Sequence, residues 1–454
     1  MSRVVVLGGG PAGLYAALLL ARRDIPVTVL ERDKTPGGLA GGTEIDGMRV
    51  DFGSHRLHPS IDTDILEDLD DLLGDDLQRR KRNGRIRMAG TWISFPLSPG
   101  EMLSSLPVGI TARLSLGAAR AVLTPGRSRT FADVVATGLG KPMGEHFYFP
   151  YARKIWGVEP GELSGEQARR RISANSPAKL IRKALSRSGP GREFLYPKLG
   201  FGQIAESLSA EAASAGAEIR LDSPVTSVAG SHPDLVVATP YDEIEAGLVL
   251  STIPITVLSR FLRPPEEVWS SLDSLRYRAM VLVYLSVPVD RWTPFDAHYF
   301  PGAEVMFTRI SEPKNYRDGA DPSGRTVLCV EVPCDPDDQV WVQSDADLLA
   351  AVRDDIVSTG LPDPGKVGQV SRVRNAYPIY HVGSEPALDR VAAWLDDQKG
   401  VVSYGRQGLF AHDNTHHALA MARDAVGCVV DDLDFDTAAW HQARQRFARH
   451  VVED

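Results

Sequence analysis

Cysteine is scarce in this chain, with three residues in 454: Cys329, Cys334 and Cys428. They show no metal-ligand spacing and an odd number cannot all pair. That excludes a disulfide scaffold and a cysteine zinc site, and it fits a reducing, cytoplasmic setting in which they pack as small apolar residues. Long apolar runs are missing as well. None reaches about 18 residues, so no membrane-spanning helix is expected. The segment LSSLPVGITARLSLGAARAVL (103–123) comes nearest, but Arg113 and Arg120 interrupt it. It reads as a half-buried helix pair in preference to a membrane-surface helix. Basic blocks are equally absent. Arg79-Arg80-Lys81-Arg82 and Arg169-Arg170-Arg171 are short and flanked by acids, and the net charge is −9. Nucleic acid is therefore excluded as the main partner. There is no internal repeat and no low-complexity tail.

What is present is an ordinary globular composition, 43% hydrophobic and 24% charged, with material for a large core and a length that suggests two or three domains. The most informative stretch is MSRVVVLGGGPAG. A β-branched run, Val4 to Leu7, leads into Gly8-Gly9-Gly10-Pro11-Ala12-Gly13, and the Ala/Leu-rich LYAALLLARR follows as a helix. Strand, G-x-G-x-x-G turn and helix stand in the order of a dinucleotide-binding crossover. Gly8 permits the sharp turn, Gly10 lets backbone approach a pyrophosphate, and Gly13 lets the helix pack on the strand. The helix N-terminus offers free N–H groups to phosphate. A second strand, PVTVL, ends at Glu31, placed to accept hydrogen bonds from ribose hydroxyls, with Arg32 beside it. The glycines interrupt the apolar start and no cleavage site follows, so a folded unit is expected there and not a signal peptide.

A second glycine patch, Gly37-Gly38-Leu39-Ala40-Gly41-Gly42, precedes EIDGMRVDFGSHRLHP, in which Asp46-Gly47 signals a hairpin. Residues 60–190 read as mostly helical. A turn and helix follow from 196 to Gly216, then strands in AEIRLDSPVTSV and AGLVLSTIP. Antiparallel strands are expected over 270–340, a helix over 346–360, a buried strand in GVVSYG and a helix starting near Asn414 or Thr415. The fold class is mixed α/β. A Rossmann-type domain is built discontinuously from 1–60, 195–255 and 395–435. A substrate domain of antiparallel sheet and helices comes from 61–194 and 256–394, and 436–454 forms a C-terminal helix.

These motifs resemble the FAD-binding amine oxidase and protoporphyrinogen oxidase superfamily. The resemblance rests on Gly8 to Gly13, Glu31, Gly37-Gly38, DFGSHRLHP, YPKLGFGQIAESL, GAEIRLDSPVTSV, VLSTIP and GRQGLFAHDNTHHALAMA. It implies FAD as cofactor, held by Gly8, Gly10, Pro11, Ala12, Gly13, Glu31, Arg32, Gly38, Leu39, Ala40, His55, Val225, Gly405, Arg406, Thr415 and His416. A narrower likeness points to the UDP-galactopyranose mutase branch. His55-Arg56-Leu57-His58 keeps its two-histidine spacing, and HFYFPYARKIWG is similar to its aromatic motif. FTRISEPKN, AYPIY and GRQG match its segments bearing Arg309, Tyr377 and Arg406. Where that branch carries two tyrosines and an aspartate, this chain has Phe410, His412 and Asn414.

His55, His58 and His412 are the candidate catalytic residues, since histidine exchanges protons near neutral pH; bracing the loop is the alternative for the first two. Phe147, Tyr151, Trp156, Arg309 and Tyr377 are the candidate substrate residues. The aromatics at i, i+4 and i+9 are equally readable as a core helix face, and Arg309 as a salt bridge to a neighbour such as Glu312. For Arg406, contact with an FAD phosphate is preferred over substrate. His412, His416 and His417 lack a completing Glu or Cys, so no metal is expected. The expected activity is FAD-dependent dehydrogenation of a small organic substrate, anionic or nucleotide-linked among the options, by hydride transfer to flavin N5. The alternative is a redox-neutral, mutase-like sugar-nucleotide isomerase working through reduced FAD.

Overall fold

Val4–Leu7 is apolar on both faces because both are covered: it is the middle strand of a five-stranded parallel sheet. The order across the sheet is Val401–Ser403, Leu248–Ser251, Val4–Leu7, Val27–Leu30, Glu218–Arg220. Val4 and Val6 face one core, shared with the helix Pro11–Ala21; Val5 and Leu7 face another, shared with Leu258, Leu272 and Leu395. Helix Pro11–Ala21 packs between the helices Gln203–Ser214 and Thr415–Gly427. Ile65, Leu69 and Leu73 of the helix Thr63–Leu73 enter the same core, as do Trp440, Ala443 and Phe447 near the C-terminus. The computed structural model describes residues 3–96, 99–123, 128–172 and 193–452.

A second, seven-stranded mixed sheet runs Gly368–Ile379, Arg276–Val287, Thr326–Cys334, Arg309–Ser311, Ala297–Tyr299, Gly84–Met88, Thr91–Phe95. Its long strand Arg276–Val287 shows how alternation divides two environments. Val281, Val283 and Leu285 face the helix Asp345–Ser358, while Met280, Leu282 and Tyr284 face Ile45, Met48 and Val50. The expected hairpin is there: Gly42–Ile45 pairs with Met48–Asp51 across Asp46 and Gly47, both at positive φ (50° and 77°). Asp-Gly suits that turn because both of its central positions need the left-handed region. All three cysteines are buried and unpaired.

The expectation of mostly helix over 60–190 needs correction. Leu77–Lys81, Gly84–Met88 and Thr91–Phe95 are strands. In Gly84–Met88 the buried residues are Gly84, Ile86 and Met88, while Arg85 and Arg87 turn outward. Strand-type alternation was present there, but the arginines masked it. Leu77–Lys81 finds its partner, Glu193–Pro197, more than a hundred residues away. Of the same stretch, residues 173–190 lie outside the described residues. The edge strand Gly368–Ile379 went unread because half-exposed polar residues dominate it. Segment 103–123 forms parts of two helices, Pro99–Ser105 and Val108–Leu123, with Leu114 buried and Val108 and Leu116 exposed. Among the described residues no helix is long and apolar enough to cross a membrane.

The crossing of helix and strand at the first glycine turn generates a stability test. A Cβ on Gly13 would sit 2.0 Å from the Gly8 carbonyl oxygen, whereas one on Gly10 meets nothing nearer than the Gly37 oxygen at 3.8 Å. Gly13→Ala is expected to lower stability by about 1–3 kcal/mol, the range for overpacking. Gly10→Ala should leave the cofactor-free unfolding midpoint almost unchanged in the same denaturant titration.

Candidate active site

Two glycine patches meet at the carboxyl ends of the parallel strands. Gly9 N–H donates to Glu31 Oε2 at 2.6 Å, and Asp33 N–H donates to Glu31 Oε1 at 2.9 Å. Burial raises the Glu31 carboxyl above its ordinary value against the pull of these two N–H groups. Gly37 N–H donates to the Gly9 carbonyl at 2.8 Å, and a Cβ on Gly38 would lie 3.5 Å from Gly10 Cα. Pro11 opens the helix, whose first ladder bond is Leu14 N–H to Gly10 O. The Ala12 and Gly13 N–H groups therefore precede the ladder, in the position that receives phosphate. Val225 follows Ser223, whose N–H donates to the Glu31 carbonyl. Gly405, at φ 77°, comes against Ala12 and Thr252. Arg32 is exposed at the rim. A turn with an open backbone face, a buried strand-end acid and a helix N-terminus fit the pyrophosphate and ribose of FAD.

Beside this frame lies a cleft whose wall is one face of the seven-stranded sheet, with Met280, Leu282, Arg309 and Glu331 on it. Tyr377, on the edge strand Gly368–Ile379, belongs to the same sheet, and the opposite side carries Leu39, His55, Tyr151, Arg406, Asn414 and Thr415. Its lining includes five arginines (Arg56, Arg82, Arg171, Arg309, Arg406) and a single carboxylate, Glu331. Their states differ. Arg309 and Glu331 are register partners on neighbouring strands, joined by guanidinium–carboxylate bonds of 2.6–3.0 Å. Burial would lower Arg309, but Glu331 outweighs it and holds the group well above the ordinary value. Glu331, and not Glu312, is its partner; Glu312 accepts the Trp292 and Thr293 N–H groups. Arg56 reaches Asp296 at 3.2 Å. Among the described residues no carboxylate pairs with Arg171 or Arg406. Their guanidinium carbons lie 5.5 and 5.2 Å from the Tyr377 ring. Burial above all, with like charge from Arg171, pushes Arg406 below the ordinary arginine value.

The candidate histidines separate. His55 lines the cleft, stacked on Phe201 at 5.2 Å. Burial first, then Arg309 and Arg406, push it down to about 3, so it is neutral at physiological pH. His58 stands outside the lining, with Nδ1 held by the Ser60 hydroxyl at 2.7 Å and its ring 5.8 Å from that of His416. His412 is buried behind Tyr377, its ring stacked at 6.3 Å. Gln167 Oε1 accepts the Tyr380 N–H, so the Gln167 amide nitrogen donates to His412 Nε2 at 2.8 Å. Burial and the surrounding arginines hold His412 well below the ordinary histidine value.

The three aromatics separate too. Tyr151 reaches the cleft, Phe147 packs in a core with Ile86 and Tyr299, and Trp156 packs against Phe131. Five residues of α-helix turn through about 140°, which carries Trp156 to the other side of Phe149–Trp156 from Tyr151. Sequence reading missed Arg171 and Glu331 as cleft residues and gave Arg56 no role. The Arg169–Arg171 run was the available signal for the first.

A dinucleotide frame opening on a polar cleft is the layout of a cofactor-dependent enzyme. The chain belongs to the flavin containing amine oxidoreductase family, whose model matches residues 11–422, and its cofactor is FAD. The fold is similar to that of reduced UDP-galactopyranose mutase (TM-score 0.82, 19% identity, all of both chains covered). It is also similar to a putative protoporphyrinogen oxidase from Exiguobacterium sp. 255-15 (TM-score 0.73, 21% identity, 94% of this chain and 98% of that one). Among curated relatives, phytoene dehydrogenase of Streptomyces griseus is 46% identical over 70 residues, 15% of this chain and 13% of its own. Matches of this kind span between 10% and 53% of each curated relative.

Buried neutral histidines make the fold acid-sensitive. His298, between Arg85 and Thr293, is pushed down to about 3 by burial and then by Arg85, like His55. An unfolded histidine titrates near 6.5, so below that pH the unfolded chain binds protons that these two refuse. Stability present above about pH 6.5 is lost as the pH falls, at about 1.4 kcal/mol per unit for each histidine. Guanidinium unfolding at pH 6.5 and 5.5 should show His298→Gln losing about 1 kcal/mol less than the parent over that step, because the unfolded imidazole is already half protonated at pH 6.5.

Proposed function

We propose that this FAD-dependent oxidoreductase dehydrogenates a small anionic molecule, a carboxylate or phosphate, by hydride transfer to the flavin. The observation that carries the reading is the uncompensated pair Arg171 and Arg406 against the cleft. An apolar substrate would strip water from two guanidinium groups and return no hydrogen bonds, whereas an anion receives forked donors from both. Bound FAD supplies the two-electron acceptor. Arg406, expected at an FAD phosphate, stands in this reading on the substrate side, and with Arg171 it binds and orients the anion beside the flat, weakly polar ring of Tyr377. Arg309, already neutralised by Glu331, contributes shape more than charge. His55, neutral and with Nδ1 unpartnered among the described residues, offers a hydrogen bond to substrate or cofactor. His58 braces the loop through Ser60, and His412 positions Tyr377 and Gln167. In this reading FAD occupies the unit from 1–60, 195–255 and 395–435, and substrate meets the sheet supplied by 61–194 and 256–394.

A redox-neutral isomerase acting on a sugar nucleotide is the second reading. Tyr151, Arg309, Tyr377 and Arg406, four of the residues of the mutase resemblance, line one cleft, which favours it, although Phe147 and Trp156 do not. Against it, Phe410 is buried with its carbonyl accepting from Tyr380 Oη, so no hydroxyl stands where that branch has tyrosine.

Anaerobic mixing of oxidised enzyme with carboxylate and phosphate substrates separates the two. Bleaching of the flavin absorbance by substrate alone is expected; activity that requires prior dithionite reduction would overturn the oxidative reading. Arg406→Ala and Arg171→Ala should each weaken inhibition by pyrophosphate by about 10-fold or more, the scale of one charge-assisted hydrogen bond. Arg309→Ala should weaken it less, because Glu331 already takes its charge.

A further inference from the structure

We propose that Asp413, His417 and His450 form a divalent-metal site, suited to Zn²⁺, that fastens the C-terminal segment to the helix bordering the cleft. The expectation of no metal rested on His412, His416 and His417; the set that converges keeps His417 and replaces the other two with Asp413 and His450. One ligand atom from each of the three lies within 4.8 Å of the others. His417 Nδ1 and His450 Nδ1 are each 3.5 Å from an Asp413 carboxylate oxygen. That separation is too long for a charge-assisted hydrogen bond of about 2.7–2.9 Å. It is close to the edge of about 3.4 Å that ligand bonds of about 2.1 Å subtend at a tetrahedral ion.

Burial strengthens the case. The Asp413 side chain is 0% exposed, and among the described residues neither carboxylate oxygen has a hydrogen-bond partner. His450 Nδ1 is unpartnered as well, while His417 Nδ1 accepts the Asn414 N–H at 3.3 Å, a long bond that ligation would replace. Arg170 and Arg406 act on Asp413 through space, but neither pairs with it. A buried bare carboxylate needs a cation, and two imidazoles with a carboxylate suit zinc and its first-row neighbours. The His417 and His450 rings lie parallel, 4.2 Å apart at 14°. Ligation therefore turns both rings about their Cβ–Cγ bonds to converge on the ion. His416, 4.0 Å from His417 with both ring nitrogens unpartnered, is a further imidazole beside the set.

The location gives the ion a structural role. Asp413 and His417 flank the first turn of Thr415–Gly427, whose Asn414 and Thr415 border the cleft, and His450 follows the helix Thr437–Phe447. The test uses the FAD-loaded protein after chelator treatment and dialysis, titrated with zinc sulfate. One zinc per chain retained through gel filtration, with a raised unfolding temperature, is expected. His450→Gln and Asp413→Asn should each weaken zinc binding at least tenfold in competition with a chromophoric chelator. His450 is partly exposed, so its variant stands as the folded comparison if Asp413→Asn does not accumulate. Failure of the parent to retain stoichiometric zinc, or equal zinc affinity in parent and His450→Gln, overturns the proposal.

Discussion

The hydrogen bond from the Gly9 N–H to the buried Glu31 carboxylate is the contact on which the cofactor frame depends. It locks the turn after Val4–Leu7 to the end of Val27–Leu30. The Gly9 carbonyl then receives Gly37, drawing in the second glycine patch. A buried carboxylate costs stability unless N–H groups satisfy it, and here two do. Because the acid is spent on backbone, the glycines around it must stay small. A Cβ at Gly9 would come within 2.9 Å of Glu31 Cβ. The same residues thus set both the shape of the turn and its lack of side chains.

Cleft electrostatics follow from a second division, between arginines that have acids and arginines that do not. Arg309 and Arg56 are neutralised by Glu331 in the seven-stranded sheet and by Asp296 just before its strand Ala297–Tyr299. Arg171 and Arg406 come from helices and carry no such partner among the described residues. Charge in the cleft is therefore lopsided, weak around Arg309 and Arg56 and strong around Arg171 and Arg406. For the anionic substrate proposed above, that asymmetry would give one preferred docking end, orienting the rest of the molecule before any chemistry.

Local features were legible in the sequence; features that depend on register were not. Gly8 to Gly13, Glu31 and the Asp46-Gly47 hairpin are each decided within a few residues, so spacing sufficed. The Arg309–Glu331 pair exists because two strands align those positions, and nothing in either strand names the other. Leu77–Lys81 likewise becomes a strand through a partner beyond residue 190. Trp156 takes the core alternative that its spacing left open, because the angular step of the helix carries it away from Tyr151. His412 was singled out as the residue replacing a tyrosine, yet its contact with Gln167 removes it behind the cleft wall.

The parallel sheet has a consequence for how the chain is made. Its first strand, Val4–Leu7, leaves the ribosome early, but a flanking strand arrives at Leu248–Ser251 and the outer one at Val401–Ser403. Until then an apolar ribbon with open edges waits without its neighbour, a state prone to wrong pairing. Closure brings together segments some 400 residues apart, the kind of long-range contact that slows folding. The helix that completes the cofactor side, Thr415–Gly427, comes later still. The cofactor side of the sheet is therefore complete only once Thr415–Gly427 has packed on Pro11–Ala21.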